Sequence, residues 1–141
     1  MTSNQLGDAN ELARRFVACK GWRWLGGMAY RTISNKGMEL PERRVTGSDA
    51  ELRAILPIAD GYQTWEMLPD LSDAATRGAI LELARVAWGG KDIWVEGDHR
   101  EYGDAIDEWE VFQFLGAYCA KSLGIGSTYA EALLAALEAA P

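Results

Sequence analysis

His99 is the only histidine in the chain, which narrows the chemistry open to this sequence from the outset. A Ser-His-Asp triad, a Cys-His dyad and a histidine-based zinc site each need an imidazole beside a defined partner. The neighbours of His99 are the carboxylates Glu96, Asp98 and Glu101. It could serve there as a lone acid/base or ligand, but an imidazole in an acidic, polar turn is more simply a solvated one. Cys19 and Cys119 stand a hundred residues apart, with no CxxC pair and no companion histidine. They read as two buried thiols of a reducing compartment rather than as zinc ligands or a disulfide.

Two further patterns resemble binding loops and fail on their spacing. A calcium loop begun at Asp98 would place Gly103 correctly at the sixth position, yet Arg100 and Tyr102 fall at the third and fifth and Trp109 at the twelfth. Gly124-Ile-Gly126-Ser-Thr128 precedes a helix, where free backbone N–H groups attract anions. It lacks the lysine of GxxxxGK[ST] and the spacing of GxGxxG, so a loop entering a capped helix is the better reading. No base–nucleophile pair is visible either. The expectation is a protein without catalytic residues, metal or cofactor.

What the sequence does concentrate is negative charge. The chain carries a net charge of −7, unevenly placed: residues 1–60 hold nine Lys/Arg against seven Asp/Glu, and residues 61–141 hold five against fourteen. Between Asp92 and Glu110 eight carboxylates accompany a single Arg100. Such a segment suits a partner surface that is itself basic. Glu96, Asp98, Glu101, Asp104, Asp107, Glu108 and Glu110 are therefore the candidate partner-binding residues; a merely solvated hairpin is the plainer alternative. A different class of function would use aromatic residues as the walls of a small-molecule or nucleotide pocket, with Trp22, Arg23, Tyr30 and Arg31 as the candidates. Six tryptophans invite that thought. Trp24, Trp65, Trp88, Trp94 and Trp109 nonetheless sit in or beside apolar patterns and read first as core packing. Arg14, Arg15, Lys20, Arg23 and Arg31 form the one basic cluster near aromatics, and the overall acidity argues against direct nucleic-acid binding.

The elements that position these residues follow from periodicity and punctuation. The length of 141 residues suits one domain. Over residues 8–19, Leu12, Phe16 and Cys19 share a helical face, with Asp8 or Asn10 as N-cap and Gly21 beyond the end. Trp22 to Ile33 reads as a hairpin turning at Gly26-Gly27, and Asn35-Lys36-Gly37 as a second turn. Met38 to Val45, with Pro41, allows at most an edge strand. Ser48-Asp-Ala-Glu51 has capping-box spacing before a short helix ending before Pro57, and a short strand falls around Tyr62–Met67 before turn formers at Pro69-Asp70. Ser72 caps a helix of about four turns that buries Ile80, Leu83, Ala84 and Ala87 and stops at Gly89-Gly90. Ile93–Val95 and Glu108–Phe114 form a hairpin joined by a polar connection from about Gly97 to Asp107. Residues 115–126 read as irregular extended chain or a further short strand. Thr128-Tyr-Ala-Glu131 is a capping box opening a final helix that buries Leu133, Leu134 and Leu137.

This order predicts an α+β fold: one mainly antiparallel sheet packed with three to four helices as a helix/sheet sandwich. No apolar run approaches the ~18 residues needed to span a bilayer, and the first residues lack a signal-peptide pattern, so the expected location is the cytoplasm. Three features together resemble small bacteriophage and prophage proteins of the phage ABA-sandwich type. They are Trp22-Arg-Trp24-Leu-Gly-Gly-Met28, Leu68-Pro-Asp-Leu-Ser-Asp73 opening a helix, and a Trp-bearing strand pair followed by Thr128 to Leu137. The likeness covers roughly residues 8–35 and 68–141 and supplies no catalytic residue. It implies a non-catalytic phage-type binding protein in the host cytoplasm. Such a protein docks on a host or viral protein with a basic surface, in the manner of an anti-defence, anti-CRISPR-like inhibitor.

Overall fold

The computed structural model of the protein describes residues 3–47, 63–90, 92–98 and 108–141. The chain divides into two compact units, Met1–Val17 with Arg23–Ala79 and Ala18–Trp22 with Ile80–Pro141. Its class is α+β, with two separate three-stranded antiparallel sheets and three helices among the described residues. The single sheet expected from the sequence is thus two. Each sheet gathers strands that follow one another along the chain, the arrangement with the smaller loop-closure cost.

In the first unit β1 (Ala29–Ser34) lies between β2 (Arg43–Arg44) and β3 (Trp65–Pro69), antiparallel to both. Its sequence, Ala-Tyr-Arg-Thr-Ile-Ser, supplies the β-branched and aromatic residues that a central strand packs on both sides, and five of its six residues are buried. A turn forms at Gly26-Gly27, with Gly27 at a φ of +91°, but no strand precedes it. The expected hairpin is therefore absent. Val45 takes that place instead, accepting from the Gly27 N–H at 2.9 Å and donating to the Met28 carbonyl at 2.8 Å. The stretch around Pro41 yields only the two-residue edge strand β2, as its composition allowed. β3 runs on to Pro69, which sequence reasoning assigned to a turn; on an edge strand the missing N–H forfeits no ladder bond.

Helix α1 (Ser3–Ala18) begins well before Asp8 and Asn10, so neither residue caps it. The Asn10 side chain accepts from Arg31 Nη2 at 2.8 Å instead. Ala13 joins Ile33 and Leu68 in a buried cluster with Leu71 at its margin, and Phe16 is fully buried. Helix α2 (Ala74–Ala87) is capped by Asp73, not Ser72: the Asp73 carboxylate accepts from the Thr76 N–H at 2.9 Å. Ser72 is drawn away because its N–H and hydroxyl both donate to Asp70. The segment 48–57, where a short helix was expected, lies outside the described residues.

In the second unit the order is β4 (Ile93–Asp98), β5 (Glu108–Gly116), β6 (Cys119–Gly126). The expected hairpin of the first two strands is present, with Val95 opposite Val111. β6 is an eight-residue strand where irregular chain or a short strand was expected. Its glycines are explained by helix α3 (Tyr129–Glu138), which packs on β6 and β5. A Cβ on Gly124 would stand 2.5 Å from the Ala136 nitrogen and 2.6 Å from the Ala132 oxygen, and one on Gly126 2.5 Å from the Ala132 nitrogen. Only a strand without side chains at these two positions lets the helix backbone come so close. Gly124-Ile-Gly126 is thus a strand against a helix rather than an anion-binding loop.

Thr128 caps α3 as its spacing predicted, accepting from the Glu131 N–H at 3.1 Å, while the Glu131 carboxylate accepts from the Ser127 N–H and hydroxyl. Leu133, Leu134 and Leu137 are buried with Ala130, Ala132 and Ala136. In the sheet Ile93, Val111, Gln113 and Leu123 are buried. All six tryptophans are half-buried, at the rim of packed regions rather than within them. Trp88 shows why: its indole N–H reaches the Ala136 carbonyl at 2.9 Å while Lys121 Nζ lies 5.3 Å from its ring centroid. No helix among the described residues is long and apolar enough to cross a membrane.

Candidate functional site

Residues alternate between the two faces of a strand, so the register of β4, β5 and β6 decides what the open face of the second sheet presents. Odd-numbered Ile93, Val111 and Gln113 turn inward. The even-numbered residues form rows across the opposite face. Asp98 stands opposite Glu108; Glu96 opposite Glu110, with Ile125 beyond it; Trp94 opposite Phe112, with Ser122 beyond. Phe114 and Ala120 make the last row. The carboxylates of Glu96, Glu108 and Glu110 therefore adjoin two rows of aromatics, and none of these positions is a lysine or arginine.

The aromatics are organised. Trp94 and Phe112 stack with ring centroids 5.5 Å apart at an interplanar angle of 24°, and Phe114 lies tilted 6.5 Å from Trp94. Phe114 and Ile125 are about half exposed, at 45% and 51%. The Trp94 indole N–H donates to Glu96 Oε1 at 2.9 Å, which ties the carboxylate to the aromatic row. Among the described residues no lysine or arginine forms a salt bridge with Glu96 or Glu110. Glu96, Gly97, Glu108, Glu110 and Phe112 line a shallow depression of about 170 Å³. That is below the ~300–1,000 Å³ of ordinary small-molecule sites.

Of the seven acidic candidates, the structure brings Glu96, Asp98, Glu108 and Glu110 together on paired strands. Glu101, Asp104 and Asp107, together with His99, lie outside the described residues. Sequence reasoning missed Trp94, Phe112, Phe114 and Ile125 as members of this surface. The signal was available, since the alternation that isolates Glu108 and Glu110 from Trp109 and Val111 continues through Phe112 and Phe114.

The alternative ligand residues are placed differently. Tyr30 is buried in β1, 6.0 Å from Trp24 in an edge-on contact. Arg31 pairs with Glu39 at 3.3 Å in addition to its bond to Asn10. Trp22 is half-buried and Arg23 exposed, each in a different unit. The neighbouring basic cluster is partly neutralised, because Arg14 pairs with Glu66 at 2.6 Å and with Glu11 at 3.7 Å. Cys119 is exposed and Cys19 half-buried, so the reading of two buried thiols is corrected; neither is in a disulfide. Cys119 opens β6 directly after the β5–β6 turn, paired with Gly116.

The most strongly shifted carboxyl group of the described chain belongs to structure rather than to this surface. Asp73 is held well below the usual carboxylate range by the Arg44 guanidinium, 2.7 and 3.0 Å from its two oxygens, and by the Thr76 N–H. Thr76 carries the connection inward, its hydroxyl donating to Asp73 and accepting from the Ala29 N–H at 2.8 Å. Compared with the known protein families, with curated proteins and with solved structures, the chain matches none of them.

Proposed function

We propose that this chain is a non-catalytic binding protein that engages a basic surface of a partner protein through the outer face of its β4–β5–β6 sheet. The observation that carries the reading is the pairing of like charges. Glu96 faces Glu110 across the paired strands, an arrangement that costs roughly 0.2–1 kcal/mol for a directly opposed pair. Exposed Phe114 and Ile125 beside them add apolar contact area, the composition of a protein-binding patch rather than of a solvated hairpin. The resemblance to small phage proteins supports a cytoplasmic role in the infected host, with a host or viral nucleic-acid-handling protein as the basic partner and inhibition of an antiviral defence as the outcome.

The experiment is quantitative capture from host lysate with tagged wild type, with Glu96→Lys/Glu110→Lys, and with Glu138→Lys as an exposed control on α3. Wild type and control should retain one discrete partner, and the double reversal should lose it. Raising salt from ~0.1 to ~1 M shortens the Debye length from ~10 to ~3 Å and should release it as well. A partner retained by the double reversal at high salt moves the interface to another surface.

A further inference from the structure

We infer that the partner group anchored on this face is an arginine side chain, its guanidinium lying against the Phe112 and Trp94 rings and its N–H groups shared between the Glu96 and Glu110 carboxylates. The inference rests on the reading above and narrows it from a basic surface to one kind of residue. Charge alone would accept lysine equally. The face, however, joins its carboxylates to an aromatic ring within a single depression, since Phe112, which stacks on Trp94, lines the same hollow as Glu96 and Glu110.

An ammonium group is a compact, strongly hydrated point charge, and placing it on an apolar ring strips water it holds tightly. A guanidinium is planar and weakly hydrated on its faces, stacks on aromatic rings, and directs its donors outward in the ring plane. Carboxylates at the edge of the aromatic row then meet those donors side-on, the bidentate geometry that favours arginine. Glu96 is preset for this by its bond from the Trp94 indole N–H, which occupies one acceptor position and leaves the others for a ligand. The depression of about 170 Å³ has room for one long side chain and is lined by no cation, so an anionic or nucleotide occupant is disfavoured. Arginine is also among the residues most enriched at protein interfaces, which makes it a natural anchor for a patch of this size.

The test is isothermal titration of the whole protein with two synthetic peptides of equal charge, Ac-(Gly-Arg)4-NH2 and Ac-(Gly-Lys)4-NH2, at low salt. The arginine peptide should bind about tenfold more tightly than the lysine peptide. Phe112→Leu should bring that ratio close to one while leaving the lysine peptide's affinity unchanged, and Phe112→Tyr, which keeps the ring, should restore the preference. Glu110→Gln should weaken both peptides. Equal affinity of wild type for the two peptides overturns the arginine anchor and leaves the broader basic-partner reading standing. Binding of neither peptide overturns both. A preference that survives Phe112→Leu and Trp94→Leu together places the arginine elsewhere.

Discussion

The two faces of the β4–β5–β6 sheet are built by opposite rules. On the inner face the residues answer to burial and to the helix above: Gly124 and Gly126 are reduced to hydrogen so that α3 can approach, and Ile93, Val111 and Leu123 are buried. On the outer face Glu96 opposes Glu110 and aromatics border them, an opposition of like charges that the fold itself does not require. The carboxylates of the first unit sharpen the contrast. Asp73 caps a helix and grips Arg44, and Glu66 holds Arg14. Acidic side chains there tie elements together, whereas Glu96 and Glu110 of the outer face form no salt bridge with a lysine or arginine among the described residues.

The largest effect is expected where the inner face leaves no room. Gly124→Val should destabilise by more than the ~1–3 kcal/mol of ordinary overpacking, because the new atoms meet backbone rather than a yielding side chain. Denaturant unfolding would measure it, and a loss under 1 kcal/mol would mean that α3 can lift away easily. Leu137→Ala, on the helix side of the same packing, should cost about 2–4 kcal/mol by creating a cavity. An unmoved denaturant midpoint would show a weakly docked helix.

Asp73→Asn tests the structural use of a carboxylate. Its folded-state pKa lies below the ordinary value of 3.8, so its stabilisation is fully present above that value and is lost as pH falls through it toward the folded one. The variant should have a lower thermal midpoint at neutral pH and a shallower decline below about pH 4. A decline as steep as that of wild type would assign acid sensitivity to other groups. The smallest effect, and one of opposite sign, is expected on the outer face. Glu110→Gln removes one member of an opposed pair and should leave stability unchanged or raise it by up to ~1 kcal/mol. A clear loss of stability would give Glu110 a structural role that no contact explains.

The same contrast governs how much the sequence discloses. Several local signals held: Thr128 with Glu131, the leucines of α3, the stop at Gly89-Gly90 and the β4–β5 hairpin were all legible because cap, stripe and alternation are written within a few residues of each other. Pairing was not. A Gly-Gly turn at 26–27 suggested a hairpin with the preceding residues, yet β1 finds its partners in Arg43–Arg44 and Trp65–Pro69, and nothing near Trp22 announces that. β6 was obscured because its glycines are fixed by a helix that lies later in the chain. Asp73 rather than Ser72 caps α2 because Asp70 captures Ser72, a competition between adjacent cap formers that spacing alone does not rank. The acidic half of the outer face was legible from charge. Its aromatic half was overlooked because Trp94 and Phe112 look like core until the strand register turns them outward.

The most direct measurement of the central claim is a backbone amide and indole NMR titration of the isotope-labelled protein with Ac-(Gly-Arg)4-NH2. The binding-face account predicts chemical-shift changes concentrated on Trp94, Glu96, Glu110, Phe112 and Phe114, including the Trp94 indole N–H that donates to Glu96. Shifts centred instead on Asp73 and Glu66, or spread evenly over every exposed carboxylate, would contradict it.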